Sequence, residues 1–531
     1  MKTLHLCLPC CVAALRVAAP SFAAEPPHDA AALDAPAHDA AALDAPALDA
    51  AAHAPPPTPT VGPPPSFLHL ELGDMLLEAP MLFQGRYEGT SAYAIDDANR
   101  FEASGFGGIA RVGLRFDAKR ALVPLLLLAE YEHDLATGYV NRSPVPDAGA
   151  GYPIASAVTD ELRKLTLRAS LGWYAHAGFG INVSHWGLGL VANDGAHGFV
   201  PESPTFTMPR SGDRVVRGFL ATGPHTDLKL FAALAYDSVL DDDVLLEGDT
   251  ARQIVGSVII GRNQPTWAGA YVVRRSQDAA SGGALGAWVI DVAGEAKLEL
   301  DRDFMLHFGA ELAFITGDTT LAATPEHPEH DVDQQGAVLR AGVDARVVGG
   351  VLDFVYASGD GSFDDGKQAG FKSDPNFPLG ILLHSHYLAA QTARAPANAS
   401  NPELLGLPPR GVERLPSQGG VTNTFALFPR VFWRPVAPLE IYGGVLFAWS
   451  AEPLADPLKT RLAGGSPRNA FDEAPGGYLG TELDLGIRYR GELAGTELEA
   501  AAEWGVLTPG DAFAGGQDKV TGGRVMLQYR L

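Results

Sequence analysis

The chain has 531 residues and a formal net charge of −24, which excludes the basic face that nucleic-acid binding needs. Hydrophobic residues make up 46% of it. No apolar run reaches the ~18 residues of a membrane helix, so any bilayer crossing must use strands.

The first stretch, "MKTLHLCLPCCVAALRVAAPSFAA", reads as a secretory signal peptide over residues 1–24, cleaved near Ala23 or Ala24. Cys7, Cys10 and Cys11 all lie inside it. The "CLPC" spacing therefore belongs to a removed leader rather than to a redox or metal motif, and the exported protein holds no disulfide. Residues 25–65 repeat "HDAAALDAPA" at 28–37 and 38–47 and end in "PPPTPTVGPPP". Ala, Pro and Asp cannot build a core, so this segment reads as a disordered linker with His28, His38 and His53 solvated.

From residue 66 to 531 the periodicity is two. In "FMLHFGAELAF", Phe304, Leu306, Phe308, Ala310, Leu312 and Phe314 share one face. Successive strand side chains point to opposite faces, so this is a strand with one oily side and one mixed side. "KLTLRASLGW" and "YLGTELDLGIRYR" repeat the pattern. Strands of about ten residues or more suit a tilted bilayer crossing.

Short and long links alternate. Short ones are expected near 117–121, 175–177, 223–226, 262–265, 301–303, 348–350, 434–438 and 490–495, with longer ones between them, the longest over 359–421. Outer-membrane barrels show this asymmetry between periplasmic turns and extracellular loops. The expected fold is an all-β transmembrane antiparallel barrel of 18 strands, with 16 as the fallback count. The first strand comes from residues 66–89, and both termini are periplasmic. Aromatics on the oily faces then form two girdles: Trp173, Trp433, Tyr489 and Tyr529 at the periplasmic rim, and Tyr131, Tyr236, Trp288, Trp449 and Trp504 toward the outside.

A barrel of this size encloses an aqueous lumen. Its basic lining candidates are Lys164, Arg168, Lys229, Arg274, Arg340, Arg346, Arg488 and Arg490, joined by Arg111, Arg115, Lys297 and Arg430. Carboxylates such as Glu311, Asp353, Glu440, Glu482 and Glu503 nearly balance them. Mutually paired, solvated lumen residues are the alternative to a selectivity ring. In the longest loop, "DPNFPLGILLHSHYL" is too apolar for free chain and is expected to pack on the rim or enter the lumen.

No cofactor is expected. A divalent cation has two candidate places on extracellular loops, Asp360, Asp364 and Asp365, and the stretch Glu326 to Asp333; solvated loops are the alternative. Ser385 lies between His384 and His386, but adjacent residues do not make a nucleophile–base–orienter array, and no HExxH, GxSxG or phosphate loop occurs. No enzyme is expected.

"FVYASGDGSFDDGKQAGFKSDPNFPLG" (354–380), "YLGTELDLGIRYRGELAGTELEAAAEWGVLTPGDAF" (478–513) and, more loosely, "SHWGLGLVANDG" (184–195) resemble the alginate-export family of outer-membrane proteins. The resemblance implies a monomeric 18-stranded channel that passes an anionic polysaccharide or small solutes through a basic constriction. Arg340, Arg346, Arg488 and Arg490 would be its candidates here. The closing "VMLQYRL" resembles the strand read by barrel-assembly machinery, with Tyr529 and Leu531 as the signal. The expectation is a passive channel in the outer membrane of a Gram-negative bacterium, with outer-membrane lipids, assembly machinery and a hydrophilic solute or polysaccharide as partners. A structural or surface-interaction barrel plugged by its own loops is the alternative.

Overall fold

The computed structural model describes residues 68–97, 99–118, 125–137, 159–172, 174–195, 212–280, 282–301, 303–321, 327–362, 365–393, 416–493 and 496–531. The expected signal peptide and linker lie outside these residues, as does Trp173.

Eighteen long strands run in chain order: β1 Met81–Thr90, β2 Ser104–Ala118, β3 Leu125–Thr137, β4 Thr159–Leu171, β5 Ala175–Val183, β6 Arg214–His225, β7 Leu230–Asp241, β8 Thr250–Ile260, β9 Trp267–Asp278, β10 Ala284–Asp301, β11 Phe304–Thr319, β12 His330–Ala345, β13 Val348–Ala357, β14 Thr424–Val436, β15 Leu439–Trp449, β16 Tyr478–Leu493, β17 Thr496–Pro509 and β18 Val520–Arg530. Each pairs antiparallel with its neighbours in sequence. β18 pairs back onto β1, from Gly522 opposite Thr90 to Arg530 opposite Leu82, so the sheet closes. Closure removes the exposed strand edge that lipid would leave unpaired. The count is the expected 18 rather than 16.

β1 has a short forerunner, Met75–Glu78, that also pairs with β2. The two are separated at Ala79–Pro80, because proline has no N–H for the ladder. Glycine stands opposite at Gly113, where a Cβ would meet Pro80 Cγ at 2.9 Å. One rim carries the short turns, such as 226–229 and 346–347; the other carries the long loops, up to 358–423.

The period-two pattern sorts the two faces. Phe179, Leu220 and Val431 project outward and are about two-thirds exposed, at 67%, 67% and 66%. So wide an apolar outer band has no place in water and is what a bilayer covers. Among the described residues, no helix is long and apolar enough to cross a membrane.

The interior is filled from the long-loop rim. Segment 371–393 forms a short helical plug over Leu383–Leu388 and Ala389–Thr392. Leu382, Leu383, Tyr387 and Leu388 are fully buried in one cluster with Tyr93 and Phe101 from the first loop and Phe513 from the last. On the opposite side, segment 184–195 inserts Trp186 among Phe219, Phe231, Trp267 and Tyr271. Of the two positions expected for the stretch 374–388, the one inside the lumen is the one adopted.

Candidate functional site

The lumen wall from β12 round to β1 is a band of guanidinium–carboxylate pairs. Arg340 stands opposite Asp353 in the β12–β13 register, Arg488 opposite Glu440, and Arg524 opposite Glu503. Directly opposed residues on one sheet face meet, so the near-equal lumen charges of the sequence are cross-strand pairs. Asp353 accepts from Arg340 Nε at 2.8 Å and Nη2 at 2.9 Å, and from Arg430 Nη2 at 2.5 Å. Arg434 links Asp344 and Glu440, at 2.8 Å each. Arg488 also pairs with Glu440, and Arg86 with Glu88 at 3.3 Å.

Five of the eight expected basic residues face this interior. Besides Arg340 and Arg488, Arg490 reaches Glu499 at 3.4 Å, Arg168 reaches Glu130 at 2.6 Å and Lys164 reaches Glu132 at 3.7 Å. Three do not line the wall. Lys229 and Arg346 occupy turns on the short-turn rim with φ of 50° and 63°, and Arg346 pairs with Asp303 there. Arg274 projects outward, its guanidinium 5.5 Å from the Trp288 ring centroid. The inward member of that Arg–Arg pair is Arg275, which reaches Asp242 at 2.5 Å.

Sequence reasoning passed over Arg86, Arg163, Arg217, Arg434 and Arg524, all of which face inward. Arg163 is the instructive one. The β3–β4 register shifts between Glu132 and His133, so Arg163 and Lys164 both turn inward against strict alternation. Arg163 pairs with Glu132 and Asp194. Alternation alone would have found the other four.

Two lumen carboxylates hold the inserted loops. Glu482 on β16 accepts backbone N–H bonds from Ile381, Leu382 and Leu383 at 2.5, 2.7 and 2.7 Å. Glu311 on β11 accepts from Leu188 and Leu190 at 2.5 and 3.1 Å. Trp186 donates from Nε1 to Asp291 at 3.0 Å and stacks on Tyr271 with centroids 5.3 Å apart. The two inserted segments meet: Asn193 N donates to Asp374 Oδ2 at 2.8 Å. His386 Nε2 lies 2.9 Å from Glu88, while buried His384 has no hydrogen-bond partner and burial pushes its pKa down to about 3.

A cavity of about 420 Å³ opens above the plug, toward the long-loop rim. Its strand side is aliphatic, with Val215, Val239, Val273, Val289, Ile315 and Val332. Its loop side is polar and mainly acidic: Asp213, Asp242, Asp243, Asp360, Asp374 and Asp456 stand against Arg275, Lys367 and Lys372. Burial, and then Asp243, Asp242, Asp374 and Asp241, push the Asp213 carboxyl well up. Asp360 and Asp365 accept backbone N–H bonds within their own loop, and Asp364 and Glu326 lie outside the described residues. Among the described residues no group of three or more His, Cys, Asp or Glu side chains is arranged to hold a metal ion.

On the outer surface, Tyr236, Trp288, Trp433, Trp449, Tyr489 and Trp504 are exposed, and Tyr131 and Tyr529 partly so. Trp433 stands opposite Val348, the first residue of β13, and Tyr489 opposite Leu439, the first of β15; Trp449 ends β15.

No family model and no curated protein matches the sequence. Solved structures match the fold. OccK9 (OpdG) of Pseudomonas aeruginosa superimposes with a TM-score of 0.51 at 11% identity, covering 86% of this chain and 98% of that one. OccK2 (OpdF) of the same organism, in complex with glucuronate, gives 0.47 at 9% identity, with coverage of 86% and 96%. The outer membrane protein opdK, also from Pseudomonas aeruginosa, gives 0.47 at 11% identity, with coverage of 86% and 99%. The fold is a porin-like, 18-stranded outer-membrane β-barrel.

Proposed function

We propose that this protein is a passive channel of the Gram-negative outer membrane for small hydrophilic solutes, closed in the described state by its own 371–393 segment. The observation that carries the reading is the ion-paired lumen band, from Arg340–Asp353 to Arg524–Glu503, inside a closed barrel whose outer face is apolar. A structural barrel has no need for charges turned inward on strand after strand, whereas a polar pathway does. The long-loop rim faces the outside, the short-turn rim the periplasm. Lipids cover the outer face, and one chain closes the sheet, so a monomer suffices. Assembly machinery joins β18 to β1, with Tyr529 and Leu531 in the strand it reads. The mainly acidic cavity favours neutral or cationic solutes at the entrance. No chemical step is involved.

Planar-bilayer recording tests this. Wild-type protein is expected to give small, discrete conductance steps, and a variant lacking 380–393 larger ones. Absence of steps from both would overturn the channel. The second reading, a loop-plugged structural barrel, is supported by the near-complete burial of Arg86, Arg430 and Arg488, at 1%, 2% and 1% exposure. Reversal potentials in a salt gradient separate the solute classes. Anion preference would support the anionic solute or polysaccharide that the alginate-export resemblance implies.

A further inference from the structure

The outward face of β7 to β10 carries two arginines among aromatic rings. In the ladder, Tyr236 is opposite Ile254 and Ser238 opposite Arg252; Arg252 is opposite Ser276, Ile254 opposite Arg274, and Arg274 opposite Trp288. Tyr236, Ile254, Arg274 and Trp288 therefore form one row across four adjacent strands, and Arg252 stands beside Ile254, one outward position nearer the long-loop rim. Arg252 is the third residue of β8 counted from the long-loop rim, and Asp278 stands one outward position beyond Ser276, at the strand end.

Among the described residues, neither guanidinium has a carboxylate partner. The Arg274 side chain lies across Gly286, where a Cβ would stand 3.1 Å from its Nη2, and over the Trp288 ring. Gly286 is one outward position nearer the rim than Trp288, so the missing side chain lets the guanidinium rise toward the headgroup level. Exposed tryptophan and tyrosine mark that level in barrels. An unpaired arginine on a lipid-facing surface is costly unless an anion meets it. The guanidinium fork suits phosphate oxygens in particular.

We propose that Arg252 and Arg274, framed by Tyr236 and Trp288, form a binding site on the outer face of the barrel for the phosphorylated headgroup of an outer-leaflet glycolipid. The phosphate sits on the two guanidiniums and the acyl chains lie along the apolar strands below. The site is independent of whether the lumen conducts.

Native mass spectrometry of the detergent-purified full-length protein, titrated with bisphosphorylated lipid A, tests this. Wild-type protein is expected to retain one lipid A, and the double variant Arg252→Gln with Arg274→Gln to bind it at least tenfold more weakly. Dephosphorylated lipid A should bind wild-type protein as weakly as it binds the double variant. Arg274→Lys, which keeps the charge, should restore part of the binding lost in Arg274→Gln. Heat-modifiable gel mobility checks that each variant is a folded barrel. Equal retention of lipid A by wild type and double variant would overturn the site. So would equal binding of the dephosphorylated lipid, and displacement by inorganic phosphate would show a free-phosphate site instead.

Discussion

Glu482 and Leu382 are a hundred residues apart in sequence, yet a Glu482 carboxylate oxygen accepts the Leu382 backbone N–H at 2.7 Å inside the barrel. The same carboxylate takes the N–H groups of Ile381 and Leu383, which open the short helical plug. A carboxylate at a helix start satisfies donors that have no partner within the helix. One strand residue thereby holds the segment that fills the lumen.

Removing that carboxylate should release the plug. Glu482→Ala leaves three buried N–H groups unpaired, at a cost of about 1–3 kcal/mol apiece. Larger single-channel conductance and faster protease nicking within 380–393 are expected. Glu482→Gln keeps one acceptor oxygen and should fall between the two. Wild-type conductance in Glu482→Ala would show that the plug is held by its apolar packing instead.

The Asp353 carboxylate is the shared anion of Arg340 and Arg430, and it is 0% exposed. Asp353→Asn removes the counter-charge that the two guanidiniums share. Breaking a buried pair from one side costs about 3–5 kcal/mol. Urea unfolding in lipid vesicles should show a loss of that order. Asp353→Asn with Arg430→Leu should recover part of it, and a recovery of zero would mean that Arg340 alone uses Asp353.

The strands were legible because side-chain alternation is a local property, readable in Phe304 to Phe314 without knowledge of any partner. The loop rhythm was legible for the same reason. Lys229 and Arg346 were misplaced because each sits in a turn at positive φ, one residue outside a strand (before β7 and after β12), and nothing in lysine or arginine announces that conformation. Arg274 was exchanged for its neighbour Arg275 because a one-residue shift inverts the face. Arg163 was hidden by a bulge that only the β3–β4 pairing reveals. The roles of Glu311 and Glu482 depend on which distant loop reaches them. That is a tertiary fact, and neither residue differs in sequence context from the other inward carboxylates.

The edge of the 358–423 loop should respond to pH. Burial raises the Asp360 carboxyl from 3.8 to about 6, against backbone N–H bonds from Ser362 and Ala369 at 3.1 and 3.2 Å. A carboxyl whose folded pKa lies above its unfolded value binds more protons when folded. Its contribution to stability is greatest below 3.8 and is lost as pH rises through about 6. Hydrogen exchange over 365–372, corrected for intrinsic rates, should show more protection at pH 4 than at pH 7. Asp360→Asn should flatten that difference. Equal protection at both pH values in the wild type would place Asp360 in contact with solvent.

The closing seam gives the sharpest test of the architecture. Nine residue pairs join β18 to β1, and six of them involve residues from Val525 to Arg530. Gln84 and Gln528 add a side-chain amide contact at 3.0 Å on the lumen side. Leu531 and Met81 exchange backbone hydrogen bonds, both at 2.9 Å. Deleting 525–531 would expose the unpaired edge of β1 to lipid, where each unpaired backbone group costs several kcal/mol. The truncated protein should therefore lack the fast-migrating, heat-modifiable gel band of a folded barrel and should be absent from outer-membrane fractions. Gln528→Leu, which leaves the backbone ladder intact, should assemble normally. A folded, membrane-inserted truncation would mean that some other pairing closes the sheet.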